Sequence, residues 1–133
     1  MASIGPFSFP STGYQAAIFD CDGTLVDSMP AHFDAWCEAL ALYGAGGIFK
    51  EDVFFAMGGR PTMDIVVELN DEYDLKLDPV TVAMAKREAF LKRLNTVTLI
   101  DEVAAFAEGL RGKMPMAIAT GGSRMVIEKT LKI

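Results

Sequence analysis

Two short apolar segments, residues 16–19 and 116–119, each end in a polar stretch that contains glycine. Residues 20–24 follow the first segment, and residues 120–123 follow the second. Short apolar segments bounded in this way are typical of buried parallel strands. In open sheets of parallel strands, ligands bind beyond the carboxyl ends of the strands. The pattern therefore predicts two parallel strands whose following loops form a ligand site.

Between the two predicted strands, apolar residues recur at helical spacing. Pro30 suits the first turn of the first helix, which Asp27 or Ser28 can cap, and Asp78 suits the cap position of the fourth helix. A further helix leads into the second strand, and another follows it. The predicted helices span residues 30–43, 50–57, 63–72, 80–94, 101–110 and 123–133. We expect the first four to pack together as a small bundle.

The pattern divides the chain into a leader, a core and an insertion. Residues 1–14, rich in Ser, Pro and Gly, carry no periodic pattern and are predicted to be a leader, draped over the domain or detached from it. Residues 15–28 and 97–133 form the α/β core, and residues 29–96 form the helical insertion. Because two strands make a poor sheet on their own and the chain stops inside a helix, it looks like the front portion of a longer α/β protein.

Composition narrows the class of protein. The 133 residues are 51% hydrophobic and 23% charged, which is enough apolar material for one packed core. With 12 Lys and Arg against 18 Asp and Glu, the formal net charge is −6, which argues against sequence-independent nucleic-acid binding. No apolar segment is long enough to span a bilayer, and the opening residues lack the pattern of a secretory signal, so we expect a cytoplasmic protein. Cys21 and Cys37 lack the pattern of a disulfide framework or a zinc site.

Asp20 and Asp22 are the strongest candidates for chemistry. Both carboxylates are expected to be charged at pH 7, and holding them together is unfavourable unless a cation compensates. Mg²⁺ prefers oxygen ligands of this kind. One carboxylate can then attack phosphorus while the other handles the proton of the leaving oxygen. The alternative interpretation is that Asp-x-Asp-Gly simply forms a turn.

The sequence IFDCDGTLVDS at residues 18–28 strongly resembles motif I of the haloacid dehalogenase-like (HAD) superfamily. ATGGS at residues 119–123 is similar to motif II, and the helical insertion resembles the C1-type cap of that superfamily. Within it, the β-phosphoglucomutase-like branch and its fructose-1-phosphate phosphatases are the most similar group. The resemblance covers residues 15–133. It implies an α/β fold with a Rossmann-like core, here partial, and an inserted helical cap with hinges near residues 26–30 and 95–99.

The resemblance also implies a role for each motif residue. Asp20 would be the nucleophile that becomes an aspartyl phosphate, and Asp22 the general acid and then the general base. Thr120 and the amide of Gly121 would hold the transferring phosphoryl group. Mg²⁺ would bind the Asp20 carboxylate and the backbone carbonyl of Asp22. Asp22 argues against a true dehalogenase, which lacks a carboxylate at that position.

In the insertion, the resemblance places His32, the only histidine, near the substrate, and the alternative is a half-exposed helix residue without a special role. Arg60 could contact the distal end of a sugar phosphate through charge-assisted hydrogen bonds, or could be a solvated loop charge. The basic pairs at residues 86–87 and 92–93 are interpreted as the solvent-facing side of a helix. Cys21 is expected to be a small buried residue rather than a nucleophile.

The motif III lysine and the motif IV acidic residues of the family normally lie well beyond motif II. Lys129 and Lys132 follow the second strand too soon to be expected to replace that lysine. Three hypotheses follow: a magnesium-dependent phosphatase of a small phosphorylated sugar, a sugar phosphomutase with the same nucleophile, or a catalytically incomplete fragment. Product analysis separates the first two.

Overall fold

A computed structural model describes residues 2–4, 6–9 and 12–133 as a mixed α/β structure. The strands are β1 (Ala2–Ile4), β2 (Phe7–Phe9), β3 (Ala17–Phe19), β4 (Val26–Asp27), β5 (Thr98–Leu99) and β6 (Met116–Ile118). The α-helices are α1 (Met29–Leu42), α2 (Glu51–Ala56), α3 (Thr62–Tyr73), α4 (Pro79–Leu91), α5 (Asp101–Leu110) and α6 (Arg124–Thr130), with a 3₁₀ turn at Leu94–Thr96. The predicted helices are confirmed, with ends that differ by at most three residues.

The two predicted strands, β3 and β6, pair in parallel, which confirms the basis of the predicted ligand site. Ile18 lies opposite Ala117 in the register. The pairing continues past the strands, because the Ala119 amide donates to the Phe19 carbonyl at 2.9 Å. The prediction that these strands are buried is wrong: Ile18 is 73% exposed. In the described residues β3 and β6 pair only with each other, and Ile18 and all of β6 are exposed, while Ala17 and Phe19 are half-buried.

The two links between the core and the helical insertion lie side by side. Val26 of β4 pairs with Leu99 of β5, and Asp27 pairs with Thr98, in a short antiparallel ladder. The Ile100 amide also donates to the Leu25 carbonyl at 2.9 Å. The insertion therefore leaves and returns at one place, within the segments that the sequence analysis predicts as hinges.

The helical insertion has its own apolar core. Trp36 of α1 packs edge-on against Phe49 with ring centroids 5.3 Å apart, and Phe49 packs against Phe54 of α2 at 5.8 Å. Leu69 of α3 and Val82 of α4 complete the buried cluster. Emptying a buried aromatic position typically costs about 3–5 kcal/mol, so Trp36→Ala should destabilise this unit strongly.

The helix ends show which predicted caps form. Asp78 caps α4, because its carboxylate accepts the Thr81 amide at 2.8 Å. Ser28 occupies the N-cap position of α1 but makes no side-chain cap bond; its hydroxyl donates to Asp22 instead. Asn70 links α3 to the turn before α4, donating to the Leu77 carbonyl and accepting the Leu77 amide, each at 2.9 Å.

The described residues at the amino terminus form regular structure that the sequence pattern does not indicate. β1 and β2 form an antiparallel pair, and the rings of Phe7 and Phe9 each lie 5.4 Å from Phe106 of α5. These contacts come from a helix far along the chain, so no local periodicity could indicate them. Residues 1, 5, 10 and 11 of the predicted leader lie outside the described residues. In the described part of the chain, no helix is both long enough and apolar enough to cross a membrane.

Candidate active site

A cavity of about 320 Å³ lies between the loops that follow β3 and β6 and the helical insertion. The core contributes Asp20 and Asp22 from the first loop and the core loop, residues 120–122, from the second. The insertion contributes the cap loop, residues 58–60, together with Met29, His32, Trp36, Phe54, Met57, Thr62, Ile65 and Lys86. The structure thus brings all the predicted site residues, Asp20, Asp22, His32, Arg60, Thr120 and Gly121, to one cavity.

Asp20 sits at the carboxyl end of β3 with an exposed side chain. The hydroxyl of Thr24 donates to its Oδ2 at 3.0 Å. Gly23, with φ +73°, turns the loop so that Thr24 comes back beside Asp20, a conformation that favours glycine. Asp20 is therefore held at the cavity wall by a neutral donor, in the more solvated of the two carboxylate environments.

Asp22 is held more firmly and lies deeper. Its Oδ1 accepts the Ser28 hydroxyl at 2.6 Å and faces the His32 Nε2 at 2.9 Å. Burial alone would raise the pKa of Asp22, but the hydrogen bonds from His32 and Ser28 and the charge of Lys86 outweigh burial and hold the pKa below its usual value. Asp22 is consequently a carboxylate at pH 7 in this arrangement.

His32 connects Asp22 to α4. Its ring stacks on Phe90, with centroids 3.9 Å apart and planes within 5°, and Lys86 Nζ lies 2.9 Å from Nδ1. Burial is the main cause that lowers the pKa of His32, Lys86 lowers it further, and Asp22 opposes both. A neutral imidazole that accepts from Lys86 at Nδ1 must carry its proton on Nε2, which donates to Asp22. The network therefore assigns the tautomer of His32.

The interpretation of residues 86–87 as solvent-facing is wrong for Lys86. It lines the cavity, and its ammonium lies 5.7 Å from the Phe90 ring centroid and 5.9 Å from that of Trp36. Burial lowers its pKa to about 8, although Asp22 partly offsets that effect. Lys92 and Arg93 differ from it, because both form ion pairs with Glu38 on the surface.

Arg60 borders the cavity, but its guanidinium is paired with Glu68 of α3. Both side chains are 42% exposed, so the pair contributes little to stability. The pair raises the pKa of Arg60, chiefly because its guanidinium donates a hydrogen bond to the Glu68 carboxylate. Arg60 is thus a cation at the rim of the cavity. It is near enough to contact a substrate there, and it is also partly solvated.

In the core loop, the Gly122 amide donates to the Thr120 hydroxyl oxygen at 3.1 Å. That bond leaves the hydroxyl proton of Thr120 available to donate to an anion. Cys21, between the two aspartates, is fully buried, and burial raises the pKa of its thiol to about 11. A buried thiol of high pKa is a poor nucleophile, as the sequence analysis expects.

A family model for haloacid dehalogenase-like hydrolases matches residues 14–133. The chain belongs to this family. The match includes the loops that carry Asp20, Asp22 and Thr120, so the resemblance stated from the motifs is confirmed.

Relatives of this haloacid dehalogenase-like chain include fructose-1-phosphate phosphatase YqaB of Escherichia coli (strain K12). It is 34% identical over an alignment of 125 residues that covers 89% of this chain and 62% of that protein. The chain therefore spans less than two thirds of that relative's length. A hydrolase from Pseudomonas syringae superposes with a TM-score of 0.80 at 21% identity, over 90% of this chain and 55% of that one. A β-phosphoglucomutase-like protein from Bacteroides vulgatus gives 0.70 at 20% identity, over 84% and 46%. These likenesses confirm the fold, an α/β core of the Rossmann-like kind.

The oxygen atoms near Asp20 suit Mg²⁺ as a ligand type. This ion is commonly bound by one or two carboxylates and substrate phosphate oxygens and keeps several waters. Asp20 and Asp22 come from one loop and both line the cavity, and a carboxylate and a carbonyl oxygen are donors of the type that such a partial set uses. Within residues 2–4, 6–9 and 12–133, no group of three or more His, Cys, Asp or Glu side chains converges on a metal position.

Sequence reasoning missed three contributors to the site, Lys86, Ser28 and Thr24. A signal for Lys86 existed, because Val82, Lys86 and Phe90 share one face of α4 and the other two are buried. A lysine between two buried positions at helical spacing points inward. The contacts of Ser28 and Thr24 carry no such signal. Lys129 and Lys132 are exposed and do not line this cavity, as expected.

Proposed function

We propose that this chain is the catalytic part of a phosphatase that acts on a small phosphorylated sugar through an aspartyl phosphate on Asp20. The supporting observation is the difference between the two carboxylates at one cavity. Asp20 is exposed beside Thr24, and Asp22 is held by Ser28 and His32. Two carboxylates in different environments can take different roles, one as nucleophile and one as proton carrier.

In the first step, an Asp20 oxygen forms a bond to phosphorus while the bond from phosphorus to the sugar oxygen breaks. Asp22 gives a proton to that leaving oxygen, so the sugar departs as an alcohol. Asp22 reaches the protonated form because the approach of an anionic phosphate raises its pKa. In the second step, water attacks the phosphorus of the aspartyl phosphate, Asp22 takes the proton of the water, and Asp20 and inorganic phosphate are released.

Residues near the phosphorus hold the transferring group. Thr120 and the Gly121 amide would donate to its oxygens, as preorganised donors stabilise developing charge. We propose Mg²⁺ as the cofactor, held by the Asp20 carboxylate and the Asp22 carbonyl. When bound, it would offset the repulsion between the anionic nucleophile and the anionic phosphate.

The insertion would select the substrate. We propose that residues 29–96 act as a cap over a core of residues 15–28 and 97–133, with the paired β4 and β5 segments as hinges. The cavity has about 320 Å³, a volume suited to a sugar monophosphate rather than a polymer. His32 would meet the substrate beside Asp22, and Arg60 would meet its distal end. The similarity to YqaB, a fructose-1-phosphate phosphatase, supports this substrate class.

A phosphomutase would use the same nucleophile and return the phosphoryl group to the sugar. It is the second candidate because the cavity places insertion residues such as His32 beside Asp20 and Asp22, so that a sugar hydroxyl held there could replace water as the acceptor. The product distinguishes the two: free phosphate indicates the hydrolase, and an isomeric sugar phosphate indicates the mutase.

The test uses the 133-residue chain with Mg²⁺ and fructose 1-phosphate, and measures phosphate release together with covalently bound phosphate that hydroxylamine removes. Asp20→Asn should abolish both signals, because an amide cannot accept the phosphoryl group. Asp71→Asn is the matched control, since Asp71 of α3 is an exposed carboxylate outside both the cavity lining and the proposed hinges. Turnover that survives Asp20→Asn would contradict the mechanism. Absence of both signals in the wild-type chain would instead favour the catalytically incomplete fragment.

A further inference from the structure

The helical insertion and the core meet backbone to backbone at Gly59 and Gly121. A Cβ atom placed on Gly121 would overlap the Gly59 carbonyl oxygen and would lie 2.9 Å from the Gly59 carbonyl carbon. It would also come within 3.6 Å of the carbonyl carbon of Arg60. Distances under about 3 Å are well inside ordinary van der Waals contact, and backbone atoms cannot rotate away as a side-chain terminus can. A glycine at position 121 is therefore required for the cap loop to lie where it does.

The neighbouring glycine, Gly122, has a different environment. A Cβ placed there would meet Cδ1 of Ile127 at 3.2 Å and Cγ1 of Ile127 at 3.3 Å. Ile127 belongs to α6, on the core side, and its side chain can change rotamer. Two adjacent glycines of the core loop thus have distinct neighbours, one in the cap loop and one in the core's own helix.

The cap loop is itself fixed in a tight turn. Gly59 has φ +79°, and the Arg60 amide donates to the Met57 carbonyl at 3.3 Å. Because Met57 ends α2 and is buried, the loop is anchored to the apolar core of the insertion. A steric push on Gly59 would therefore displace Arg60 as well, and both border the cavity.

We propose that Gly121 sets how closely the cap loop approaches the core loop, and thereby the size of the cavity between them. A side chain at position 121 would hold residues 58–60 away from residues 120–122 and carry Arg60 outward. The consequence for substrate selection rests on the function proposed above, whereas the position of the loop does not.

The position of the loop can be measured without turnover, by ¹⁵N NMR of the 133-residue chain. In Gly121→Ala, the amide resonances of residues 58–60 should shift and their hydrogen exchange should become faster. In the matched control Gly122→Ala, those amides should keep their positions, and the resonances of Ile127 should shift instead. Equal effects of the two substitutions at residues 58–60, or none, would overturn the proposal.

A second measurement needs no substitution and covers the case in which Gly121→Ala does not fold. In the wild-type chain, nuclear Overhauser effects are expected between the Gly121 α-protons and the backbone of residues 59–60. Their absence would overturn the proposal. If the chain also releases phosphate from fructose 1-phosphate, Gly121→Ala should raise KM for this substrate more than it lowers kcat. If the loop contacts are observed and no turnover is found, the proposed function fails while this inference stands.

Discussion

Lys86 Nζ lies 2.9 Å from Nδ1 of His32, although 54 positions separate the two residues in the chain. His32 in turn contacts Asp22, so a lysine of α4, a histidine of α1 and a carboxylate of the core form one hydrogen-bonded series. The series crosses from the insertion to the core at the cavity. A displacement of the insertion would break it between His32 and Asp22, and the proton affinity of Asp22 therefore depends on the position of the insertion.

The buried ammonium of Lys86 should make stability depend on pH. Its pKa is about 8 in the folded chain against 10.5 ordinarily. Between these values the unfolded chain holds more protons than the folded one, so the free energy of unfolding rises with pH. Cys21 has the opposite effect above pH 9, because its folded pKa is about 11 against 9.0. From pH 8 to 9 the effect of Lys86 is the larger one, because thiols with an ordinary pKa of 9.0 have only begun to titrate in the unfolded chain, and a rise of up to about 1 kcal/mol is expected there.

Urea denaturation at several pH values between 8 and 9 measures this rise. Lys86→Met should remove it. Lys92→Met is the matched control, since Lys92 lies on the surface with a 70% exposed side chain, and it should retain the rise. A rise that persists in Lys86→Met would show that another group is responsible.

Replacing His32 should change the proton affinity of Asp22. His32→Ala removes a hydrogen bond that lowers the pKa of Asp22, so this pKa should increase. The titration of Asp22, followed by its ¹³C carboxyl shift, should move to higher pH, and so should the limb of the pH–rate profile that Asp22 governs. Loss of a group that itself transfers the proton typically reduces kcat about 10²-fold or more. Asp22 and not His32 transfers the proton here, so His32→Ala should reduce kcat by less than that.

His32→Gln serves as the comparison, because an amide NH₂ can still donate to Asp22. The pKa of Asp22 should then lie between the wild-type and His32→Ala values. A pKa of Asp22 that is the same in all three proteins would contradict the role assigned to His32.

Much of the fold and of the site is predictable from the sequence. Local patterns predict the helices and the two parallel strands, and the order of the strands brings Asp20 and Thr120 to one edge of the sheet. The position of Lys86 is predicted wrongly from its charge, which favours solvent. Its helical spacing between the buried residues Val82 and Phe90 indicates the inward orientation instead. The N-terminal pair of strands could not be predicted, because its stabilising partner, Phe106, lies far along the chain. The exposure of Ile18 could not be predicted either, because the burial of a strand depends on the elements that pack against it and not on the sequence of the strand alone.

The two cysteines should react at very different rates. Cys21 is fully buried and its pKa is raised to about 11, whereas Cys37 on α1 is half-buried. A disulfide reagent such as DTNB at pH 8 should therefore modify one thiol of the native chain quickly and the second only as the chain opens. Cys37→Ser should abolish the fast phase, and Cys21→Ser should preserve it. Fast modification that survives Cys37→Ser would place an accessible thiolate at Cys21.

Asn70 should contribute measurably to the stability of the insertion. Its amide group donates to and accepts from the backbone of Leu77, which closes the turn between α3 and α4. Asn70→Ala loses both bonds and leaves two partly buried backbone groups without these partners, at an expected cost of about 1–3 kcal/mol. Asn95→Ala, at an exposed position of the 3₁₀ turn, is the matched control and should change stability by less than about 0.5 kcal/mol. Thermal and urea unfolding would measure both variants. Equal stability of the two would mean that water replaces the Asn70 bonds, and that the turn is held by the packing of Leu75 and Leu77 against the apolar core of the insertion.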